Sequence, residues 1–246
     1  MNTPASPARR ALVTGGSGGL GAAICERLAA SGLHVIVHAN QGLARAQALA
    51  AQLQAGGASA EAVAFDVTDR PACASALERL LEEGPIQVLV NNAGIHDDAV
   101  FAGMSGAQWD RVLDVSLNGF FNVTQPLTLP MLRTRWGRIV NVSSVTAVAG
   151  NRGQVNYAAA KGGLHAASRS LALELASRGV TVNVVAPGII DSGMAEGQFG
   201  ADALRQMVPM QRAGRPAEVA DLVDFLVSER AAYITGQVIS INGGMA

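Results

Sequence analysis

Short apolar runs alternate along the chain with longer segments of helical spacing. The apolar runs cover residues 11–14, 34–38, 60–67, 86–92, 138–144, 180–188 and 237–243. The segments with helical spacing cover residues 21–31, 43–55, 70–83, 109–135, 157–178 and 217–228. Because the runs are apolar at nearly every position, they predict strands that are buried on both faces, as in a parallel sheet. The pattern therefore predicts an α/β fold: a single-domain, doubly wound sheet of seven parallel strands with helices on both faces.

Composition and charge narrow the class of protein. The 246 residues are 49% hydrophobic and 15% charged, which is enough apolar material for a large core. The net charge of −1 gives no general attraction to nucleic acid or to an anionic membrane. Residues 1–9 have the composition of a flexible polar tail rather than of a signal peptide, and no run reaches the roughly 18 apolar residues of a membrane span. We therefore expect a cytoplasmic protein.

The cysteines and histidines give no indication of a metal site. Cys25 and Cys73 fall in predicted helices among small apolar residues, so both are expected to be buried free thiols, as in a reducing compartment. The four histidines, at positions 34, 38, 96 and 165, do not have the spacing of metal ligands. We therefore predict that no metal is bound.

A glycine-rich turn follows the first predicted strand. Its sequence is TGGSGGLG, residues 14–21, and it also includes Ser17 and Leu20. Gly15, Gly19 and Gly21 allow a tight turn and the close approach of a pyrophosphate, which the free N–H groups of the following helix attract. The position of the turn favours a dinucleotide site over an ordinary glycine-rich turn. The chain, residues 1–246, is then predicted to be one dinucleotide-binding catalytic domain, with its longest irregular segment, residues 189–214, as the substrate loop.

The residues that follow the predicted strands form a polar rim, where open α/β sheets bind ligands. Asp66 can accept a hydrogen bond from an adenine amino group, or it can belong to a helix start that Thr68 or Asp69 caps. Asn92 can brace neighbouring strands through its amide. Four other rim residues are expected to contact the cofactor: Asn40, Val67, Ala93 and Gly94. Pro187 and Gly188 are expected to border the nicotinamide. Ile190 can contact the cofactor through its backbone and Ser192 through its hydroxyl.

The end of the second strand bears on the choice of cofactor. An acidic residue there would hold the ribose 2′-hydroxyl of NAD, but the sequence VHANQGLAR, residues 37–45, contains none. Because no carboxylate repels a 2′-phosphate, NADPH is favoured over NADH. The sequence offers no clear cationic partner for that phosphate, since Arg45 stands well along the following helix and Gly18 has no side chain.

The sequence NYAAAKGGL, residues 156–164, places Tyr157 and Lys161 four residues apart, one turn apart on one helix face. An ammonium group favours the phenolate, which predicts a lowered pKa for Tyr157. Such a tyrosine can give a proton to a carbonyl oxygen as hydride reaches the carbon. Lys161 can also hold ribose hydroxyls, and Ser144 can donate a second hydrogen bond to the same oxygen. Such a pair by itself also fits an exposed helix face, but the glycine turn and Ser144 favour a catalytic role for Tyr157 and Lys161.

Together these motifs resemble the classical short-chain dehydrogenase/reductase family. The resemblance extends from Ala11 to Met245 and rests on TGGSGGLG, DV at 66–67, NNAG at 91–94, Ser144, YAAAK at 157–161, PG at 187–188 and ITGQVISINGG at 234–244. It implies a Rossmann fold and a homotetramer. It also implies that Tyr157 is the general acid, Lys161 its pKa partner and ribose ligand, and Ser144 the hydroxyl that orients the substrate.

Two longer segments are similar to bacterial 3-oxoacyl-[acyl-carrier-protein] reductases, and GNRGQ at 150–154 resembles the variant of the aryl-polyene or polyketide type. They are GNRGQVNYAAAKGGL, residues 150–164, and RPAEVADLVDFLVSERAAYITGQVISINGG, residues 215–244. The similarity implies NADPH-dependent reduction of a 3-oxoacyl thioester in fatty acid biosynthesis, with an acyl-carrier protein or CoA thioester as substrate. In that group, arginines near the active-site mouth attract the acidic carrier protein, and Arg135 and Arg178 match their positions. Both arginines also lie near helix ends, where the helix dipole and exposure to solvent favour arginine without any docking role.

The sequence departs from the family pattern at two positions. Gly18 stands where the family usually has an arginine that grips the NADP phosphate. Ser116, in VSLNG at 115–119, stands where the family has an asparagine that holds a proton-relay water for the lysine. Asn118 is two residues further on and is expected off that face of the helix. Our hypothesis is that the relay survives in this chain with a shifted water.

Other functions fit the same motifs. Within enzymes, they are an acetoacetyl-CoA reductase or a dehydrogenase of a sugar, polyol or steroid alcohol. Outside enzymes, they are a nucleotide-sensing regulator without catalysis or a structural subunit of a mixed oligomer. The intact set of Ser144, Tyr157 and Lys161 argues against a non-catalytic protein. The only feature that supports a non-catalytic regulator is Ser116 in place of the family's asparagine.

Overall fold

The computed structural model describes residues 8–191 and 200–246, so most of the predicted polar tail lies outside the described residues. All the strands of the described chain form one parallel sheet in the order β3-β2-β1-β4-β5-β6-β7. The strands are β1 Arg10–Val13, β2 His34–Ala39, β3 Ala60–Ala64, β4 Ile86–Asn91, β5 Gly137–Val142, β6 Val180–Pro187 and β7 Val238–Ile241. The prediction of seven parallel strands is confirmed.

Helices cover both faces of this sheet, as the pattern predicts. They are α1 Gly19–Ala30, α2 Leu43–Ala55, α3 Arg70–Glu82, α4 Gly106–Leu113, α5 Gly119–Thr134, α6 Thr146–Ala149, α7 Val155–Leu175, α8 Ala201–Met207 and α9 Pro216–Val227. On one face, α1, α2 and α9 bury apolar residues such as Ile24 and Val223. On the other face, α3, α5 and α7 bury residues such as Leu77 and Leu127. Cys25 and Cys73 are free and buried within these two layers.

The predicted helix over residues 109–135 is divided into three parts. It starts earlier, with Ser105 and Gln108 forming a capping box at α4. A π-helical turn, Asp114–Asn118, then separates α4 from α5 and carries Ser116. This turn has only five residues, so the apolar spacing along the predicted helix does not reveal it.

The segment predicted to be irregular, residues 189–214, contains a helix. This helix, α8, has only seven residues, so it makes about two turns, too few for an apolar period to be recognised. Residues 192–199, including Ser192, lie outside the described residues. The isolated bridge between Ile190 and Gly214 closes the base of the segment.

The order of the strands reverses between β1 and β4, which lie side by side in the centre of the sheet. The helices that follow them lie on opposite faces, so a crevice opens at the carboxyl ends of these two strands. Asn91, the last residue of β4, donates from its amide to Asn141 of β5 at 2.8 Å and to Thr124 of α5 at 3.0 Å. These buried hydrogen bonds fix the floor of the crevice.

His38 joins the ends of three neighbouring strands. Its Nδ1 accepts a hydrogen bond from the N–H of Gly15 at 3.0 Å, and its Nε2 lies 2.9 Å from the carbonyl oxygen of Phe65. Because Nδ1 is an acceptor, the ring is neutral and its proton is on Nε2. Burial lowers the pKa of His38 to about 4, against the opposing effects of Phe65 and Asp66.

We expect His38 to make folding sensitive to acid. In the unfolded chain the imidazole takes up a proton near its ordinary pKa of 6.5, whereas the folded ring resists protonation until about 4. Stability is therefore present above about pH 6.5 and is lost as the pH falls toward 4. Between about pH 7 and about pH 4.5 this loss amounts to about 2 kcal/mol.

The measurement is the free energy of urea unfolding at both pH values for the wild type and for His38→Gln. Glutamine can accept from Gly15 and donate to Phe65 without titrating, so the variant should lose about 2 kcal/mol less than the wild type. The exposed His96→Gln substitution is the control and should behave like the wild type. Equal losses in all three proteins would show that His38 is not responsible.

Candidate active site

The glycine turn after β1 brings the start of α1 against the strand ends. Gly15 has a φ of +63°, in the region that favours glycine. A Cβ built on Gly21 would overlap the carbonyl oxygen of Gly15 and would lie 2.9 Å from Nδ2 of Asn92. Gly19 is exposed and Ser17 and Leu20 are half-buried, and the first N–H groups of α1 have no partner within the helix. This cradle fits a dinucleotide pyrophosphate.

Asn92 and Thr14 fasten the turn to β4. The amide of Asn92 donates to the carbonyl oxygens of Thr14 and Gly15 at 3.0 and 3.2 Å. In return, Oγ1 of Thr14 accepts from the N–H groups of Asn92 and Ala93, each at 3.0 Å. Gly94 then passes close to the buried lysine, since a Cβ there would lie 3.1 Å from Nζ of Lys161.

The ends of β2 and β3 border the side of the crevice beyond β1. Asn40 is exposed directly after β2, and Val67 is buried against Gly119. One carboxylate oxygen of Asp66 accepts from both the N–H and the hydroxyl of Thr68, each at 2.8 Å. Asp69 caps α3 by accepting from Ala72 at 3.0 Å, so the capping role predicted for Thr68 or Asp69 belongs to Asp69.

Tyr157 and Lys161 lie one turn apart near the start of α7, facing the end of β5. Nζ of Lys161 donates to the carbonyl oxygen of Val142 at 2.8 Å and lies 5.7 Å from the centre of the Tyr157 ring. Lys161 is almost fully buried, and this burial lowers its pKa to about 8. The ammonium form therefore still predominates at neutral pH.

The predicted lowering of the Tyr157 pKa is wrong for the protein alone. Burial disfavours the phenolate and raises the pKa of Tyr157, while a hydrogen bond with Ser144 opposes the shift and Asp98 adds to it. The ammonium of Lys161 does not outweigh burial, because it is directed to Val142 rather than to the phenol oxygen. At neutral pH the site therefore holds a protonated phenol beside a serine hydroxyl.

The end of β6 lies directly beside Ser144. The carbonyl oxygen of Pro187 accepts from the N–H of Val145 at 2.7 Å, and the N–H of Gly188 donates to Ile241 at 3.0 Å. In the bridge to Gly214, the hydrogen bonds are made by the residues on either side of Ile190. The N–H and carbonyl groups of Ile190 itself are thus left to face away from that bridge.

Sequence reasoning missed one group in this neighbourhood. Nε2 of His165 lies 2.7 Å from the hydroxyl of Ser143, which also donates to the carbonyl oxygen of Lys161 at 3.2 Å. Burial and then Arg169 lower the pKa of His165. The available signal was the spacing, because His165 follows Lys161 by four residues on the same helix face.

Ser116 lies in the π-helical turn with its hydroxyl buried. Within the described residues this hydroxyl has no hydrogen-bond partner. It borders a cavity of about 10 Å³, which Thr14, Asn91, Ala93 and Leu164 also line. That volume is close to the minimum for one water molecule. Asn91 is the last residue of β4 and Leu164 belongs to α7. Asn118 is exposed and donates to Asp114 at 2.5 Å, so it lies away from the cavity.

Arg135 and Arg178 lie together, but not near the mouth of the crevice. Arg135 ends α5 with a φ of 51°, and its Nη2 donates to the carbonyl oxygen of Ser177 at 3.4 Å. Tyr157 is in the first turn of α7, whereas Arg178 lies beyond the last turn of this 21-residue helix, which is about 30 Å long. Within one chain, Arg135 and Arg178 are therefore not near the mouth of the crevice, contrary to the expectation from the sequence. The reason is that α5 and α7 lead into β5 and β6, so both helices end at the edge of the sheet opposite to the crevice.

Two further findings concern the described residues as a whole. Their helices include none with the length and apolar character needed to cross a lipid bilayer. Their histidine, cysteine and acidic side chains form no group of three that could hold a metal ion.

Comparisons with known proteins agree with this geometry. The family model of short chain dehydrogenases matches residues 9–202. The chain is 44% identical to the 3-oxoacyl-[acyl-carrier-protein] reductase FabG of Aggregatibacter actinomycetemcomitans, covering 95% of this chain and 98% of that protein. It is 44% identical to nodulation protein G of Azospirillum brasilense, covering 96% and 97%. It is 42% identical to the acetoacetyl-CoA reductase of Acinetobacter sp. (strain RA3849), covering 96% of each. The chain thus belongs to the short-chain dehydrogenase family, a family of oxidoreductases that use a nicotinamide cofactor.

Proposed function

We propose that the protein reduces the ketone of a 3-oxoacyl thioester to the 3-hydroxyacyl thioester with NADPH. The observation that carries this proposal is the arrangement of Ser144, Tyr157 and Lys161 around the ends of β5 and β6. The names of two relatives support the substrate class, because a 3-oxoacyl-carrier reductase and an acetoacetyl-CoA reductase both act on a 3-oxo thioester.

In this proposal the protein supplies a proton and orients the ketone. The bound cofactor provides the hydride for carbon 3. Tyr157 gives its phenol proton to the ketone oxygen, and its raised pKa keeps that proton in place at neutral pH until the oxygen becomes basic. Ser144 donates a second hydrogen bond to the same oxygen. Lys161 stabilises the phenolate that results and holds the ribose hydroxyls, since its pKa of about 8 leaves it charged at neutral pH.

The cofactor would lie across the crevice from β3 to β6. The glycine turn would hold the pyrophosphate, Asp66 and Val67 the adenine, and Asn92 to Gly94 the middle of the molecule. Pro187, Gly188 and the backbone of Ile190 would border the nicotinamide. The preference for NADPH is supported by the sequence between β2 and β3, because residues 39–60 contain no aspartate or glutamate.

We expect Tyr157→Phe to lower turnover of a short 3-oxoacyl thioester by about 10²–10⁴-fold, because the ketone oxygen loses its proton donor. Binding of NADPH, measured by calorimetry, should change little. The chain has only one other tyrosine, the fully exposed Tyr233, and Tyr233→Phe is the matched control. A variant that keeps its turnover would favour a regulator or a structural subunit, in which this phenol has no chemical part.

We also propose that the cavity beside Ser116 holds the relay water of this chain. The support is the buried, unpaired hydroxyl together with a volume suited to about one water molecule. We expect Ser116→Asn to change turnover by less than about tenfold, because the relay already works with serine. Ser116→Ala should lower it, and a rise of several orders of magnitude in Ser116→Asn would mean that the native relay is defective.

A carrier protein that docks at Arg135 and Arg178 requires a second copy of the chain. The arginines lie about one length of α7 from their own Tyr157, but an antiparallel neighbour would bring them near the mouth of another subunit. The exposed apolar side chains Phe121, Leu129 and Leu173 on α5 and α7 support such packing. We therefore propose a homotetramer with docking in trans, and light scattering should give a mass near four times 25.2 kDa.

The docking test compares two forms of one substrate. For the double variant Arg135→Gln, Arg178→Gln, we expect kcat/KM to fall about tenfold at low salt with the carrier-bound 3-oxoacyl group and to stay unchanged with the CoA thioester. Arg79→Gln, which removes an exposed arginine from α3, is the control. If the wild type shows no preference for the carrier-bound form, acetoacetyl-CoA reduction is the better description and the arginines have no docking role.

A further inference from the structure

His165 contacts the hydroxyl of the residue that directly precedes Ser144. It lies half-buried on α7, one turn after Lys161, and its Nε2 is 2.7 Å from Oγ of Ser143. Ser143 is itself buried, so water hardly competes for this hydroxyl. Because Ser143 and Ser144 are neighbours in the chain, whatever holds Ser143 also limits where the side chain of Ser144 can point.

The two contacts of the Ser143 hydroxyl assign its proton. Its Oγ also lies 3.2 Å from the carbonyl oxygen of Lys161, which can only accept a hydrogen bond. A serine hydroxyl has one proton to donate, and it can accept a hydrogen bond at the same time. Both contacts are therefore satisfied when the Nε2–H group of His165 donates to Oγ and the hydroxyl donates to Lys161. In this arrangement the imidazole directs the hydroxyl proton toward the main chain of the lysine.

Hydrogen bonds thus join α7 to β5 at both ends of Lys161. Its Nζ donates to the carbonyl oxygen of Val142 at 2.8 Å, and its own carbonyl oxygen accepts from the next residue of the strand, Ser143. Two turns further along α7, Oγ of Ser168 accepts from the amide of Asn141 at 2.7 Å. Asn141 and Ser143 are two residues apart, so both side chains face the helix. The ammonium group and the main chain of the lysine are therefore both attached to the end of β5.

The end of β5 is fixed on its other side by β6. The N–H groups of Ser143 and Val145 donate to carbonyl oxygens of β6 at 2.8 and 2.7 Å. Ser144 lies between these two anchored residues, and its hydroxyl is hydrogen bonded to Tyr157. The side chain of Ser143 therefore links this anchored strand end to the helix that carries Tyr157.

We propose that His165 is a positioning residue for the ketone reduction and that it acts through Ser143. It keeps the serine that orients the ketone at a fixed distance from the phenol and the ammonium group of α7. Such a role matters for rate, because a displacement of about 1 Å between reacting groups can cost orders of magnitude in turnover. The inference rests on the proposed function, since it presupposes that this site reduces a ketone.

The test is a double-mutant cycle on kcat for a short 3-oxoacyl thioester with NADPH. His165→Leu and Ser143→Ala should each lower kcat by about tenfold and change KM for the thioester by less than about twofold, because the link between β5 and α7 is lost. The double variant should also lose about tenfold, because both substitutions break the same link. A loss near the product of the two single losses would show that His165 does not act through Ser143 and would overturn the proposal.

A conservative variant separates the hydrogen bond from packing. The amide of glutamine reaches about as far as Nε2 of histidine and can donate to the same hydroxyl, so His165→Gln should keep about half or more of the wild-type kcat. A loss as large as that of His165→Leu would reduce the part of His165 to packing and contradict the proposal. Midpoints of thermal unfolding close to that of the wild type would show that the variants fold.

The matched control is a second pair of histidine and serine. Nδ1 of His34 lies 2.6 Å from Oγ of Ser59, at the start of β2 and thus at the edge of the sheet opposite to the crevice. His34→Leu should therefore keep the wild-type kcat. If it lowers kcat as much as His165→Leu does, the effect is general and the positioning role is wrong.

Readouts without a thioester distinguish this inference from the proposed function. NMR of the imidazole nitrogens should place the His165 proton on Nε2, with slow exchange in the wild type and fast exchange in Ser143→Ala. A proton on Nδ1, or exchange that Ser143→Ala leaves unchanged, would rule out the assigned hydrogen bond whatever the protein reduces.

Binding of NADPH provides the second such readout, because Lys161 is the proposed ligand of the ribose. In calorimetry, His165→Leu, Ser143→Ala and the double variant should each raise the Kd for NADPH by about the same factor, roughly threefold, since they share one link. Losses that multiply in the double variant would contradict the role of His165. If both readouts are as expected but the wild type reduces no 3-oxoacyl thioester, His165 keeps its positioning role and the proposed substrate is wrong.

Discussion

The arrangement of the whole crevice depends on one close approach, that of α1 to the turn after β1. Any side chain at Gly21 would collide with the carbonyl oxygen of Gly15, so the helix reaches the strand ends only because this position has no Cβ. The same contact places the amide of Asn92 within reach of two carbonyl oxygens of the turn. A steric constraint at two glycines thereby sets the distance between the helix that would meet phosphates and the strands that carry the polar rim.

Burial, more than charge pairing, shifts the pKa values of the two residues proposed to be catalytic. Tyr157 and Lys161 are both shifted toward their neutral forms, so the pKa of the phenol rises and that of the ammonium falls. The hydrogen bond from Lys161 to the carbonyl oxygen of Val142 compensates part of the cost of burying its charge. A neutral acid next to a weakened cation is well suited to give up a proton when negative charge develops on a neighbouring oxygen.

Much of the fold, and the placement of Tyr157 and Lys161 on one helix face, could be predicted, because both leave local signals. Alternating apolar runs predict the seven strands, and the four-residue spacing of Tyr157 and Lys161 is a property of any helix. The π-helical turn at Ser116 and the hydrogen bond from Gly15 to His38 leave no such signal. They depend on which atoms meet after folding. The predicted direction of the Tyr157 pKa shift is wrong for the same reason, because the spacing of residues does not show how deeply a side chain is buried.

The length of helix α7 fixes the distance between two parts of the surface. Its first turns carry Tyr157 and Lys161, and Arg178 lies just past its end. Inserting one residue in the middle of α7 would turn everything on one side of it by about 100° and move it by about 1.5 Å. Ala172 and Leu175 would then leave the core, and the arginine would leave the surface it shares with Arg135. Changes of length in descendants of this sequence should therefore fall in the connecting loops, and the number of residues in α7 should stay constant.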